Sequence, residues 1–383
     1  MRKFLISTVL AVGITGPAMA ETLTVGVATA QTGALAPFDA PVMEGVHIAV
    51  DEINDAGGID GNIMIELIEK DVRSDAAQTS IAVQELADRK VSVLILPCDA
   101  DPSLAAIGVV TSAQIPAVST CASSPTLPEI GGDYMFANFP GDNVQATVSA
   151  SWSYEQGHRN GYIIYSQDSQ YTTMPLYFKD VFEALGGQML GHDTYTIGQQ
   201  DFSAIATRIA ALDPQPDVIM TAAYEPDFPS MLKALRAAGV KSQIIGSDGI
   251  DSPTTFSLGD VAEGLVFTTA GHATEDSPLA AFNAKYEARY GKPPETVFNA
   301  IGYDLIKVFE AAVIAGGSTE AQPLRDAMAN LEDVQGATSM ITYKGTNGMP
   351  VRQVSLVRVN QGARELVSQP TPDPALIPAP RMQ

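Results

Sequence analysis

Polar and aromatic side chains gather just past the ends of short apolar runs. Thr32, Gly33 and Phe38 follow the run at 23–28, Asp99 follows 91–96 and Ser123 follows 115–118, while Tyr171, Tyr224 and Asp248 occupy similar places in the second half. Acids, hydroxyls and rings so placed can hold a small polar molecule through ion pairs, hydrogen bonds and ring contacts, because open parallel sheets bind ligands outside the carboxyl ends of their strands. Each residue alone reads as a solvated loop residue; their recurrence at corresponding strand ends in both halves points to a cleft. Catalysis finds no comparable set. His47, His158, His192 and His272 are far apart and form neither metal-ligand spacing nor a nucleophile motif. Ser247-Asp248-Gly249 could pass for a nucleophile turn, but no His stands in a partner position. A phosphate-cradling Gly-Lys-Ser/Thr loop is missing, and the first apolar run lacks the glycine spacing of a dinucleotide site. The residues thus imply a binding protein with no cofactor rather than an enzyme.

Cys98 and Cys121 both follow short apolar runs. If those runs are neighbouring parallel strands, the sulfurs come close enough to bond; the alternative is two free buried thiols.

The elements that must position these residues alternate through most of the chain. Leu23 to Ala28 reads as a strand, and Val42, Val46, Ala49, Val50 and Ile53 mark one helix face that Gly57-Gly58 ends. Strands at 63–68, 91–96 and 115–118, separated by helical patterns, continue a βαβ rhythm. The pattern breaks near Phe139-Pro140-Gly141-Asp142 and starts afresh, with strands at 162–165, 188–195, 217–221, 243–245 and 264–268. The repeated order predicts two parallel sheets of one kind. Helical patterns at 278–290, 297–315 and 323–331 and β-like stretches at 338–343 and 351–359 follow. The proline-crowded tail at 367–383 has little to bury and is expected to be disordered.

Arg2 and Lys3, an apolar run from Phe4 to Ile14 and Ala18-Met19-Ala20 give residues 1–20 the layout of a secretory signal peptide, cleaved between Ala20 and Glu21. The run is about half the ~20 residues a spanning helix needs, so export into the periplasm as a free protein is expected. The net charge of −22 becomes two units more negative without Arg2 and Lys3. Nucleic acid and anionic lipid, which are bound through basic clusters, are poor partners for such a chain. Roughly 360 remaining residues exceed one ordinary core and predict two domains.

Thr32-Gly33, the run Ile53-Asn54-Asp55-Ala56-Gly57-Gly58-Ile59-Asp60-Gly61, Asp201-Phe202-Ser203, Tyr224-Glu225-Pro226 and Gly246-Ser247-Asp248-Gly249 carry a family likeness. On these motifs the chain, up to about residue 365, resembles type I periplasmic binding proteins, in the leucine/isoleucine/valine-binding branch of ABC-transporter receptors. The resemblance implies an α/β fold of two Rossmann-like lobes with parallel sheets, joined by a hinge of three crossings near 139–142, 269–273 and 346–351. Lobe 1 would combine 21–140 with 272–348, and lobe 2 would combine 141–271 with 349–366. It further implies a monomer that closes on its ligand and is recognised by an ABC permease.

Carried over by position, Ser123 with the backbone N–H groups around Cys121 and Ala122 would hold an amino acid's carboxylate, and Asp248 would pair with its ammonium group. Phe38, Tyr171, Tyr224 and Phe298 would wall the side-chain pocket. Where members usually place a carboxylate-gripping Ser, this chain has Asp99, an acid that favours a cation or a hydrogen-bond donor. The usual disulfide partner aligns with Ser74, so Cys98 must pair with Cys121 or stay reduced. An amino acid or amino-bearing metabolite is the first expectation. A neutral amide or urea-like ligand on the same fold comes second, then a sensory module, then a secreted hydrolase with an unrecognised site.

Overall fold

The computed structural model describes residues 21–168 and 173–381; the leader at 1–20, including Ala20, lies outside them, as does Tyr171. Strands β1 (Thr22–Thr29), β2 (Met64–Asp71), β3 (Val93–Leu96), β4 (Ala117–Ser119) and β5 (Met135–Ala137) form one sheet in the order β2-β1-β3-β4-β5, parallel throughout. A second sheet contains β6 (Asn160–Ser166), β7 (Gln188–Tyr195), β8 (Val218–Thr221), β9 (Gln243–Gly246) and β10 (Val266–Thr269). These run β10-β9-β8-β6-β7, the same strand order as the first sheet, so the sequence repeat corresponds to a structural one. A two-stranded piece, β11 (Val334–Gln335) and β12 (Met340–Ile341), precedes β13 (Ser355–Asn360) and β14 (Ala363–Ser368), which extend the second sheet antiparallel beyond β10.

The strands form where they do because helices cover both faces. Val93–Leu96 and Val218–Thr221 are buried at every position, and parallel strands sealed on both sides read as unbroken apolar runs. Helix Ala36–Asp55 packs against helix Phe298–Gly316 on the first sheet, with Val42, Val46, Ile301 and Leu305 fully buried. Their approach is close enough that a methyl group on Gly45 would overlap the Asn299 carbonyl, and one on Gly302 the Val42 carbonyl.

The chain passes between the sheets three times: from β5 into helix Asp142–Glu155, from β10 into helix Pro278–Tyr290, and from β12 into β13. A buried ion pair fixes two of these passages. Arg352, just before β13, pairs with Asp304 of helix Phe298–Gly316, and neither side chain touches solvent. The guanidinium also donates to the carbonyl and side-chain oxygens of Asn138 and to Thr338 Oγ1, while Asp304 accepts from the Ala337 and Thr338 backbone N–H groups.

The C-terminal segment departs from expectation. In place of a disordered tail from 367, β14 continues to Ser368, and residues 369–381 lie along the body. Asn143 Nδ2 donates to the Pro378 carbonyl at 2.8 Å, the Arg381 N–H donates to the Tyr177 hydroxyl at 2.7 Å, and the Arg381 guanidinium pairs with Asp180. Composition measures what a tail can bury in itself; this one is held by donors and acceptors supplied from elsewhere in the chain.

Removing one partner of a buried pair leaves an uncompensated charge, so Asp304→Ala should cost about 3–5 kcal/mol. Chemical unfolding monitored by circular dichroism measures this, and a loss below about 1 kcal/mol would remove the pair from its anchoring role.

Candidate functional site

Strand order reverses beside β1 in the first sheet and beside β6 in the second, and such switch points open crevices at the carboxyl ends of strands. The loops after β1, β3 and β4 meet those after β8 and β9 around a half-open crevice of about 100 Å³, room for several waters or one small metabolite. Of the residues singled out in the sequence, Phe38, Asp99, Cys121, Ala122, Ser123, Tyr224, Asp248 and Phe298 all line it. Thr32 and Gly33 do not. Thr32 is bound through its hydroxyl and N–H to the Asp71 carboxylate at 2.7 and 3.2 Å, and Gly33, at φ 91°, lies against Ser74. These two residues shape the turn after β1 and stand apart from the crevice.

Cys98 and Cys121 are joined by a disulfide, with Cα atoms 4.4 Å apart. Parallel pairing of β3 with β4 brings the two strand ends together, and the bridge ties the loop carrying Asp99 to the loop carrying Ser123. Beneath it sits Asp39, fully buried, whose carboxylate accepts the Ala30 N–H at 2.6 Å and the Cys98 N–H at 2.7 Å. Burial pushes its pKa up to about 7. Sequence reading missed Asp39, whose position inside a helix gives no local signal of a role between strand ends.

Apolar walls come from both halves. The Phe38 ring meets Tyr224 edge-on across the crevice at 5.7 Å and Phe298 at the same distance, and Phe139 backs Phe298 at 6.1 Å. Contact between Phe38 and Tyr224 closes the space from one side.

The polar lining is acidic. Asp99 caps the short helix Ala100–Ala105, its Oδ1 accepting the Asp101 N–H at 2.9 Å, and burial pushes its pKa up to about 6, with the charge of Asp101 adding. Its charge in turn helps to hold the Tyr224 phenol well above the ordinary tyrosine range, where burial is the larger cause. Burial pushes Asp248 up to about 7, the charge of Asp142 adding while its own backbone N–H and a bond from Gln145 oppose. Asp142 is buried, and its pKa is raised by that burial against bonds donated by Ser123, Thr173 and the Met174 N–H. Sequence reading placed Asp142 at a crossing and missed its place in the site; its position just past the end of β5 was the available signal. Ser124 was missed too. It is buried against the crevice, and its hydroxyl has no partner among the described residues. No group of His, Cys, Asp and Glu among the described residues could hold a metal ion.

Two open sheets that share a five-stranded parallel order, meeting at the carboxyl ends of those strands around a small crevice of acids, hydroxyls and rings, define a bilobed solute-binding protein. Residues 22–364 match the periplasmic binding protein family, and the chain belongs to that family. It is 26% identical over 364 residues to the Leu/Ile/Val-binding protein BraC3 of Rhizobium johnstonii, covering 94% of this chain and 98% of that one. The leucine binding protein LivK of Thermotoga maritima superimposes with a TM-score of 0.82 at 25% identity, over 91% of this chain and 99% of that one. LivJ of Streptococcus pneumoniae, a branched-chain amino acid transporter substrate binding protein solved in complex with isoleucine, gives a TM-score of 0.81 at 25% identity, over 91% of this chain and all of that one.

An unfolded Asp titrates near pH 3.9, whereas burial in the folded chain holds Asp248 back until about 7. Ionisation between those values favours the unfolded state, so this acid costs stability as pH rises through the window and costs nothing below it. Asp248→Asn should therefore melt above the unmutated chain at pH 8, with the gap closing toward pH 4. Scanning calorimetry across pH measures it, and a variant that melts lower at pH 8 would contradict the assignment.

Proposed function

We propose that this chain is an extracytoplasmic receptor that captures an amino acid or a related small amino-bearing metabolite between two closing lobes and delivers it to an ABC permease. The observation that carries the reading is the convergence of Asp99, Ser123, Tyr224 and Asp248 from two separate sheets on one crevice. The lobes of this reading are 21–140 with 272–348 and 141–271 with 349–366, so each crossing of the chain is a hinge strand. Within it, Asp248 pairs with the ligand's ammonium group, and a charge-assisted bond in a water-poor cleft is among the strongest polar contacts available. Phe38, Tyr224 and Phe298 pack the carbon skeleton, and Tyr171, which follows β6 in sequence, is proposed to join them. The names of the relatives, which bind leucine, isoleucine or valine, support an amino compound here. Export through the leader at 1–20 would put the receptor in the periplasm, and no helix among the described residues is long and apolar enough to cross a membrane. The closed form, in which both lobes present one continuous surface, is the state a permease would recognise, and a monomer suffices for it.

Asp99 favours a second reading, a neutral amide or urea-like ligand whose N–H groups it accepts. Mass spectrometry of small molecules released from the purified protein separates the two. Asp248→Ala should weaken binding of an amino compound by at least about 100-fold, the order set by leaving a buried charge unpaired, as read by calorimetric titration. Unchanged affinity would remove the ammonium assignment.

A further inference from the structure

The charge balance of the crevice restricts its ligand more than the fold does. Three carboxylates, those of Asp99, Asp142 and Asp248, line it, and among the described lining residues there is no Lys, Arg or His. Two arginines buried or half-buried in the fold are committed elsewhere: Arg352 to Asp304, and Arg364 to Asp251 and the Glu295 carbonyl.

The hydroxyls do not restore the balance. Ser123 favours the ionised form of Asp142, and its one hydroxyl proton is shared between that acid and anything in the crevice, toward which it also offers lone pairs. A ligand carboxylate would have to rely on the hydroxyls of Ser123, Ser124 and Ser247 and on backbone N–H groups while sharing the crevice with Asp99, Asp142 and Asp248. Like charges in a water-poor space repel strongly. A cation meets the opposite situation: it supplies the missing counter-charge to acids whose ionisation burial disfavours, and the Phe38 and Tyr224 rings stand in the same lining.

We propose that the cleft selects a small organic cation, an amine or guanidinium compound whose other polar end is an N–H donor or a second positive charge and which carries no free carboxylate, with Asp99 as the residue that rejects zwitterionic amino acids. This inference rests on the receptor reading and narrows its ligand class. Asp248 and Asp99 then bind the two ends of the ligand, and Ser123 and Ser124 accept its remaining N–H groups.

The test is calorimetric titration of the purified full chain at pH 7.5 with L-leucine, L-leucinamide, cadaverine and agmatine, repeated on Asp99→Ser. Serine also caps helix starts, so the helix at Ala100–Ala105 keeps its first turn, and circular dichroism melting confirms that the variant folds. In the unmutated chain at least one of the three cations should bind at least ten-fold more tightly than leucine. In Asp99→Ser the ratio should move toward leucine by at least ten-fold, through a gain for leucine and a loss for the cation. Leucine binding tighter than all three cations, or a ratio that Asp99→Ser leaves unchanged, would overturn the charge selection and leave the receptor reading standing. Failure of all four probes to bind a folded protein would overturn both.

Discussion

A carboxylate and a guanidinium, both sealed from solvent, sit where the chain leaves its first sheet. Asp304 and Arg352 bind one another and, through Asn138, Ala337 and Thr338, the segments on either side of two passages between the sheets. Their charges must stay paired, because an isolated ion at that depth is far costlier than the pair. The geometry of the crevice depends on this anchor. Loops from the first sheet can face loops from the second at constant separation only if the strands joining them leave from fixed points, and Asn138 lies one turn of chain before Asp142, which lines the crevice.

The crevice is lined mostly by apolar surface, and its polar side chains are unbalanced in charge. Its acids are pushed toward neutrality by burial, the buried Ser124 hydroxyl has no partner among the described residues, and the Cys98–Cys121 bridge with the Asp39 carboxylate beneath it holds two of the loops rigid. The buried acids and the unpartnered hydroxyl cost stability, and a solute that satisfies them is favoured. A solute that supplies positive charge and hydrogen-bond donors removes several of these costs together, and its binding energy is what draws the two halves shut.

Much of this was legible in the residues. Parallel strands buried on both faces announce themselves as unbroken apolar runs, which is why β3 and β8 stand out, and a repeated strand-helix order revealed two sheets of one kind. Residues just after strand ends identified most of the crevice. The short strands β5 and β11 and the edge strand β14 left no such mark. A strand of two or three residues has no periodicity to read, and β14 alternates exposed with half-buried positions. Asp39 and Asp142 were hidden for a different reason. Each acts through partners remote in sequence or on another element, and no local pattern specifies that a carboxylate will be buried. The ordered tail was invisible because its acceptors and donors belong to residues two hundred positions away.

In the receptor proposed above, two sheets approach one another across a wet gap when a solute enters it. Small-angle X-ray scattering of the same sample, first stripped of endogenous small molecules by unfolding and refolding and then saturated with the compound identified by mass spectrometry, tests this most directly. A smaller radius of gyration on saturation, with scattering that matches the closed arrangement in which Phe38 meets Tyr224, is the predicted result. Identical profiles with and without a compound shown to be bound would contradict it.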